Sequence, residues 1–505
     1  MSCTGLARLC RWLLRWGAGL CVGALGLLNV LVLSEVAYDG SERVDLQLYI
    51  LPGLFMLLGL AILFLGLGRI RRLLERIDEG KLFWLLAALS AIAAGYLICN
   101  VDSTLRFDAR AVFMAARELS EGNFSSLQRE GYLYHYPHQL GVVAYLQLLS
   151  CISRQEGFVF LVNFLMVLWI DHSWWKISRE LFDDKLVSVF TLLFSFAFLP
   201  QLFFILFAYG LIPGFCFLSL GFYHAIRYGK TGRWRHGLAA AVFAGVAALL
   251  KQNYLIGAIA ILIWLFLLLL RDKKPRTLAV MLLLILSMKL PGALLQSAYE
   301  RAGGVSLEGG APSILWIAMG TDISNQKRAP GWYNDRRGPW SVFIEADYDG
   351  ERAAEIGRVW LTENWEKIKA RPRDTLVFFA KKLLSQWCDP LYQSVWTGPL
   401  ESTGQYTHTP LLRSLYSGGL AEDIAEHFSK FLNLAIWLLA ALFLLRHGFA
   451  HEGWEPMAIY LIGGLLFHFI WEGKSQYTYT YVFSLIPLAA YAAAAVTRKY
   501  GKKGG

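Results

Sequence analysis

Apolar runs near the length of a membrane-spanning helix recur along the whole chain and limit its fold more than any other feature. The first three cover residues 16–33, 49–68 and 82–99. A helix needs about 20 apolar residues to cross the hydrocarbon layer of a bilayer. Of the 505 residues, 56% are hydrophobic and only 17% are charged, which is unusual for a soluble domain. The sequence therefore predicts an all-α polytopic membrane protein with about 12 transmembrane helices.

Charged residues between the runs predict the orientation of these helices. Three arginines lie within 8–15 and four within 69–76, whereas the loop 34–48 carries four acidic residues and one arginine. The positive-inside rule then places the N-terminus in the cytoplasm and the segment 100–137 outside. Four apolar runs between 138 and 226 leave one ambiguity, because an odd number of them must cross. The net charge of +10 follows from these loops, and nucleic acid is not an expected partner.

A polar stretch between 298 and 428 interrupts the apolar pattern. It contains an amphipathic pattern over roughly 351–388 and is predicted to be a small α-rich extracytoplasmic domain. Three further spans are expected near 429–445, 456–471 and 478–497. The chain is thereby divided into four parts: 1–80 with two N-terminal transmembrane helices, 81–297 with the main transmembrane core, 298–428 outside the membrane, and 429–505 with the C-terminal transmembrane helices.

Two common kinds of site have no signature in the sequence. The seven cysteines lie mostly inside or beside apolar runs and lack CxxC or Cys/His ligand spacing, so neither a disulfide framework nor a structural zinc site is expected. The G-x-x-x-x-G-K-[ST] pattern of nucleotide binding is also missing from the sequence. A nucleotide donor is therefore not expected.

Polar residues group in three clusters that the predicted topology brings to the same side of the membrane. Asp102 and Asp108 follow the third span, residues 251–253 (Lys-Gln-Asn) form a turn between two spans, and residues 472–477 precede the last span. Ionisable groups at this depth are costly, which makes each a candidate for function. We expect the three clusters to form one outward-facing site.

The order of motifs in these clusters resembles a known family. Asp108 is followed by Val112, Ala115 and Ala116 and then by Tyr-Pro-His-Gln-Leu-Gly at 136–141; Lys-x-Asn follows at 251–253 and Glu-x-x-x-Gln-Tyr at 472–477. Over residues 82–497 the chain resembles GT-C class membrane glycosyltransferases, in the bacterial branch related to protein O-mannosyltransferases and lipid A aminoarabinose transferases. The resemblance implies a GT-C fold with a catalytic loop at 100–137, preceded here by two additional helices in 1–80.

The resemblance also implies a mechanism and a set of roles. The enzyme would transfer a sugar, with inversion, from a polyprenyl-phosphate donor to a lipid, glycan or protein acceptor, with no cofactor. Asp108 would be the general base and Asp102 a second catalytic carboxylate or a residue that orients the loop. Lys251 or Lys382 would offset charge on the departing phosphate. The other substrate-binding residues would be Tyr136, His138, Gln139, Asn253, Glu472, Gln476 and Tyr477, with Trp332, Tyr333 and Trp387 as candidate aromatic contacts.

Simpler interpretations stand beside these. Asp102 and Asp108 could be helix-capping carboxylates, Lys251 could extend to the membrane interface, and Glu472 could be paired with Lys474. A divalent metal at the two aspartates is an open alternative that we do not predict. Two other functions remain: a polysaccharide polymerase or ligase that uses diphosphate-linked glycan, favoured by external arginines, and a lipid-glycan flippase or transporter. The expected location is a bacterial inner membrane, with the site facing outside.

Overall fold

The computed structural model describes residues 3–37, 40–102, 104–307 and 309–501. Its regular structure in these ranges is helical apart from one two-stranded sheet. Seven of the described helices are long and apolar enough to cross a membrane, or nine if each of two bent helix pairs is one span. The prediction of an all-α protein with many membrane-spanning helices is confirmed at this level, while the count of twelve stays a prediction.

The N-terminal part holds three long helices, of which the first two are joined by a β-hairpin that was not predicted from the sequence. Its elements are α1 (Cys3–Leu31), β1 (Val32–Val36), β2 (Val44–Leu48), α2 (Ile50–Arg69), α3 (Arg71–Leu74) and α4 (Glu79–Cys99). The strands pair antiparallel, with Val32 opposite Leu48 and Val36 opposite Val44. Alternating Val and Leu suit such a ladder, but the acidic residues between them had indicated a solvated loop.

The central part contains ten helices, from the loop after α4 to a long apolar helix. They are α5 (Phe107–Ser120), α6 (Tyr132–His135), α7 (Leu140–Ser150), α8 (Glu156–Phe182), α9 (Lys185–Phe196), α10 (Leu199–Phe203), α11 (Leu211–Thr231), α12 (Trp234–Leu250), α13 (Leu255–Asp272) and α14 (Pro275–Gly303). Helix α7 has 11 residues, which at 1.5 Å per residue is about half of the ~30 Å hydrocarbon layer. The run 138–152 therefore holds a helix too short to cross, while the run 186–202 is broken into α9 and α10 with a bend of 49°.

Close helix packing in this part depends on small residues. A Cβ atom added at Gly245 of α12 would lie 2.6 Å from the backbone oxygen of Ser287 in α14. The Ser287 hydroxyl donates to the carbonyl of Ala241 at 2.7 Å. Small residues and hydroxyl hydrogen bonds are typical of helix contacts in membranes, where lipid gives no hydrophobic drive for association. This packing holds α12 against α14, and residues 251–253 follow directly after α12.

The outer region is helical, as an α-rich domain would be, and has α15 (Ile314–Thr321), α16 (Pro339–Glu345), α17 (Gly350–Ala370), α18 (Pro372–Trp387) and α19 (Pro410–Tyr416). The amphipathic pattern over 351–388 is two helices and not one. Proline disfavours a helical conformation of the residue before it, and Arg371 accordingly has φ −130° and ψ 65°. Pro372 then begins α18.

The C-terminal part contains α20 (Leu420–Leu442), α21 (Glu455–Ile470), α22 (Tyr479–Phe483) and α23 (Ile486–Gly501). Helix α20 begins well before residue 429, so the predicted boundary between 428 and 429 falls inside a continuous helix. Its first turns carry acidic residues such as Glu422 and Glu426, which made this segment look like part of the outer domain. Both side chains are nevertheless buried.

Candidate active site

A cavity of about 490 Å³ opens where the three polar clusters meet. Nine of the sequence-predicted site residues line it: Asp108, Tyr136, His138, Gln139, Lys251, Asn253, Glu472, Gln476 and Tyr477. Asp102 and Lys382 do not. Segments that follow or interrupt helices supply most of these side chains, and the first turn of α5 supplies Asp108.

Asp108 is held by a short chain of hydrogen bonds. The Tyr209 hydroxyl donates to Asp108 Oδ2 at 3.4 Å, and Gln139 Nε2 donates to the Tyr209 oxygen at 2.6 Å. Asp108 lies in the first turn of α5, where the helix dipole favours a negative charge. The described residues supply no ion-pair partner for this carboxylate within 4 Å, so it remains free to accept a proton from a substrate. Tyr209, which the sequence did not single out, is the shared contact.

Lys251 is a buried cation in the same cavity. Its Nζ lies 4.1 Å from the ring centroid of Tyr209 and 5.3 Å from that of Tyr477. Burial lowers the pKa of Lys251 to about 7, although the charge of Asp108 opposes this shift. The side chain is buried and lines the cavity. Held by tyrosine rings and with no carboxylate within salt-bridge distance among the described residues, it can receive an anionic group.

Glu472 is a buried carboxylate that faces the cavity. Burial raises its pKa to about 7, Lys474 acts to lower it, and Glu42 and Asp108 raise it further. The interpretation of Glu472 as the partner of Lys474 is wrong, because the Lys474 ammonium lies 3.0 Å from Glu42 Oε1. Glu472 is therefore a group that changes charge near neutral pH beside Lys251.

Glu42 is the main site feature that the sequence analysis missed. Its side chain is 2% exposed and forms ion pairs with both Lys474 and Arg328. Arg328 also contacts Asp335 at 3.0 Å. Burial alone would raise the pKa of Glu42, but Lys474 and Arg328 hold it below its ordinary value. These four residues, called here the paired cluster, line the cavity. They connect the hairpin, the outer region and the last loop.

Asp102 lies outside the cavity lining, contrary to its predicted catalytic role. Its carboxylate is half-exposed and pairs with His408 Nε2 at 3.0 Å. Next to it, Val101 forms an isolated bridge with Thr407. The backbone at Asp102 is thus tied to the segment before α19. These contacts fit the alternative interpretation in which Asp102 orients the loop, and that role stays a prediction.

Lys382 is also wrongly predicted as a substrate contact. Its ammonium is buried and donates to the carbonyl oxygens of Gly320 at 2.6 Å, Phe469 at 3.1 Å and Trp471 at 2.6 Å. All three of its donors are used, which satisfies a buried ammonium. Lys382 joins the C-terminal ends of α15 and α21 and so fixes the loop that carries Glu472.

Aromatic side chains form much of the remaining wall. The rings of Trp316 and Trp471 are nearly parallel, with centroids 5.9 Å apart, and Tyr333 also lines the cavity. Trp332 and Trp387, the other aromatic candidates, are buried outside the lining. Trp332 Nε1 donates to Ser385 Oγ at 3.0 Å, which is a structural contact.

A second aromatic pair lies beside Asp108. Phe107 stacks on Trp396 with an interplanar angle of 1° and centroids 6.3 Å apart, and both residues line the cavity. Phe107 has φ +46°, a left-handed conformation that costs a non-glycine residue roughly 1–3 kcal/mol. No pattern in the sequence indicates this backbone conformation.

A metal centre has no support in the described ranges, which contain no group of three or more His, Cys, Asp or Glu side chains arranged to hold a metal ion. The alternative of a metal shared by Asp102 and Asp108 requires both carboxylates at one point, and Asp102 is paired elsewhere.

Comparison of the chain with protein-family models, curated proteins and solved structures finds no significant match. The site's chemistry is therefore argued from its own residues.

Proposed function

We propose that the protein is an inverting glycosyltransferase that uses a sugar linked to polyprenyl monophosphate. The observation that carries this proposal is one cavity in which a free carboxylate, Asp108, and a free cation, Lys251, both contact Tyr209. The order of motifs in the sequence, which resembles that of GT-C class transferases, supports the same assignment. A membrane-embedded cavity suits a donor whose carrier is a lipid.

The proposed reaction is a single displacement. The oxygen of an acceptor hydroxyl attacks the anomeric carbon while its proton passes to the Asp108 carboxylate. The bond between the anomeric carbon and the phosphate oxygen breaks, and polyprenyl phosphate leaves with the bonding electrons. Lys251 stabilises the charge that develops on this phosphate, an effect that is strong where water is excluded. Attack opposite the leaving group inverts the configuration of the sugar.

The charges of the cavity favour a monophosphate over a diphosphate donor. Lys474 and Arg328 are neutralised by Glu42 and Asp335. Lys251 and Arg106 are the lining cations that have no carboxylate partner within 4 Å among the described residues. Arg106 is held against Trp396, whereas Lys251 lies next to Tyr209, which donates to Asp108. Of the external arginines that favoured a diphosphate-using polymerase, Arg328 alone lines the cavity. One lysine beside the candidate base suits the single negative charge of a phosphodiester.

Topology supports an extracytoplasmic site. We propose twelve crossings: the seven candidate spans already described, the two bent helix pairs taken as one span each, and the helices α11, α12 and α21, with α7 confined to one side. The loops that contain Asp108, Lys251 and Glu472 then lie on one face, as their convergence in one cavity requires. The positive-inside rule makes this the outer face of the cytoplasmic membrane, most consistent with a bacterial inner membrane. The acceptor would be a lipid, glycan or protein on that face.

The test is to offer the purified protein matched donors in nanodiscs with a total lipid extract of the host. Polyprenyl monophosphate sugars and polyprenyl diphosphate sugars would carry the same radiolabel. The proposal expects consumption of a monophosphate donor, release of polyprenyl phosphate and inverted configuration in the product. Consumption of only the diphosphate donor would favour the polymerase or ligase. Movement of lipid-linked glycan across the bilayer without any bond cleavage would favour a flippase.

A further inference from the structure

Phe107, the residue before Asp108, combines two features that are unfavourable for folding. Its backbone has φ +46°, in a region that glycine adopts readily and that a side chain with a Cβ atom does not. Its ring is 64% exposed, so it gains little from burial. Strained residues of this kind persist where the surrounding structure imposes them, and they cluster at functional sites. The ring is therefore a candidate for contact with a ligand.

The ring lies in an ordered arrangement. Phe107 and Trp396 are parallel within 1° at a centroid distance of 6.3 Å. The Arg106 guanidinium lies 4.6 Å from the Trp396 ring centroid and also donates to the Trp396 carbonyl oxygen. Trp396 is buried, which leaves Phe107 as the more accessible member of the pair. The two rings form a fixed apolar surface next to the candidate base.

We propose that Phe107 and Trp396 form a platform that binds the C–H face of a sugar ring beside Asp108. The face of an aromatic ring is electronegative and attracts groups of positive character such as polarised C–H bonds. The cavity around Phe107 is also lined by Asp108, Arg106, Glu42 and Thr397. Polar side chains of this kind can form hydrogen bonds with the hydroxyl groups of a sugar. A prenyl chain would instead remove water from them without replacing its hydrogen bonds, which is unfavourable. This inference rests on the proposed function and adds the contact that holds its substrate.

The experiment compares Phe107→Gly with Phe107→Trp and with Lys273→Gly as a matched control. Lys273 has φ +53° at the end of α13 and is not part of the cavity lining. Glycine relieves backbone strain at both positions. The measurements are thermal unfolding and the KM and kcat for the donor, on the full chain in nanodiscs made without glycoside detergents.

The proposal expects Phe107→Gly to unfold at a temperature no lower than wild type while its KM rises by about tenfold, the upper end for one aromatic contact. Phe107→Trp should retain a KM near wild type, because it keeps a flat ring. Lys273→Gly should leave both kinetic constants unchanged. A Phe107→Gly variant with wild-type KM would overturn the platform, and so would one that unfolds at a markedly lower temperature with unchanged kinetics, since the ring would then be structural.

A separate binding measurement distinguishes failure of the platform from failure of the proposed function. Saturation-transfer NMR with simple methyl glycosides reports which sugar protons contact the protein. The platform predicts saturation of protons on one ring face in wild type and its loss in Phe107→Gly. If wild type consumes no donor but shows this difference, the transferase assignment fails and the sugar platform stands. If the two proteins give the same signals, the platform is wrong whatever the turnover.

Discussion

Two groups of charged residues share the cavity and differ in how their charges are compensated. In the paired cluster, Glu42 contacts Lys474 and Arg328, and Arg328 contacts Asp335. The second group consists of Asp108, Lys251 and Glu472, which form no salt bridge within 4 Å with one another or with the paired cluster, although their charges interact at longer range. Charges that neutralise each other hold elements together, whereas uncompensated charges are available to a substrate. The paired cluster thus holds the structural elements of the site together, whereas the second group contains the residues proposed to act on a substrate.

The titration behaviour of the two groups shows the same difference. The ion pairs hold the pKa of Glu42 below its ordinary value, so this carboxylate stays charged near neutral pH. Lys251 and Glu472 have pKa values that burial moves to about 7 from opposite directions. Groups poised near the working pH are typical of active sites. Four predictions test whether the separation holds.

The largest expected effect is on folding, at the paired cluster. In Glu42→Gln, the ammonium of Lys474 and the guanidinium of Arg328 lose their shared carboxylate in a buried setting. Removal of one partner from a buried ion pair costs about 3–5 kcal/mol. The free energy of unfolding, measured by denaturant titration in detergent micelles, should fall by this amount. The control is Asp45→Asn, in an exposed pair with Arg43, where a loss below about 1 kcal/mol is expected. Equal losses in both variants would mean that the cluster does not hold the frame.

The next effect is on the chemical step, at Lys251. Lys251→Met keeps the length of the side chain and removes its charge, so the departing phosphate loses its stabilisation. Loss of one such electrostatic contact typically lowers kcat by about 10²–10³. The control is Lys327→Met, since Lys327 is an exposed partner of Asp335 and should leave kcat unchanged. A folded Lys251→Met variant with wild-type kcat would remove Lys251 from the mechanism.

A smaller effect concerns pH. The pKa of Lys251 is lowered to about 7, so its charge is present below pH 7 and is lost as the pH rises. Glu472, whose pKa is raised to about 7, becomes anionic over the same range. Both changes weaken the binding of an anionic donor, whose phosphodiester does not titrate there. Donor affinity should therefore fall by up to about tenfold per pH unit above 7 for each of these two groups. In Lys251→Arg with Glu472→Gln the cation persists and the profile should flatten; an unchanged slope would assign the titration to other groups.

The smallest effect is expected at Asp102. Asp102→Asn removes an exposed pair with His408, and such pairs contribute little. The equilibrium constant of unfolding and kcat should both stay within about twofold of their wild-type values. A loss of turnover comparable with that of an active-site variant would return Asp102 to the catalytic group.

The helices could be predicted from sequence because the bilayer imposes a local rule. The expected runs 49–68 and 82–99 correspond to Ile50–Arg69 and Glu79–Cys99, since a span needs only consecutive apolar residues. The hairpin was missed because Val32 and Leu33 continue the apolar run of the first span, and because the acidic residues of 34–48 indicated a solvated loop. The break at Arg371 was missed because the amphipathic pattern continues through Pro372, although proline there was a usable signal.

Site residues could be predicted only where the neighbouring sequence marks them, for example where a charged residue interrupts an apolar run. Lys251 and Glu472 interrupt apolar runs and so were visible. Glu42 carries no such signal. Its place in the site depends on its ion pair with Arg328, which lies 286 positions away in the chain. Asp102 was predicted to join the site because it lies near Asp108 in the sequence, and Lys382 because it is a cation of the outer region. Their actual partners, His408 and the three carbonyl groups, are distant in sequence, and no local pattern indicates such contacts.

The central claim is that Asp108 acts as a base and does not hold the donor. The most direct test measures donor affinity and single-turnover rate on the same preparations of wild type and Asp108→Asn. We predict that the dissociation constant changes by no more than about twofold, while the rate falls by about 10²–10⁴, the usual contribution of a positioned base. A retained rate, or a loss of affinity as large as the loss of rate, would contradict the claim.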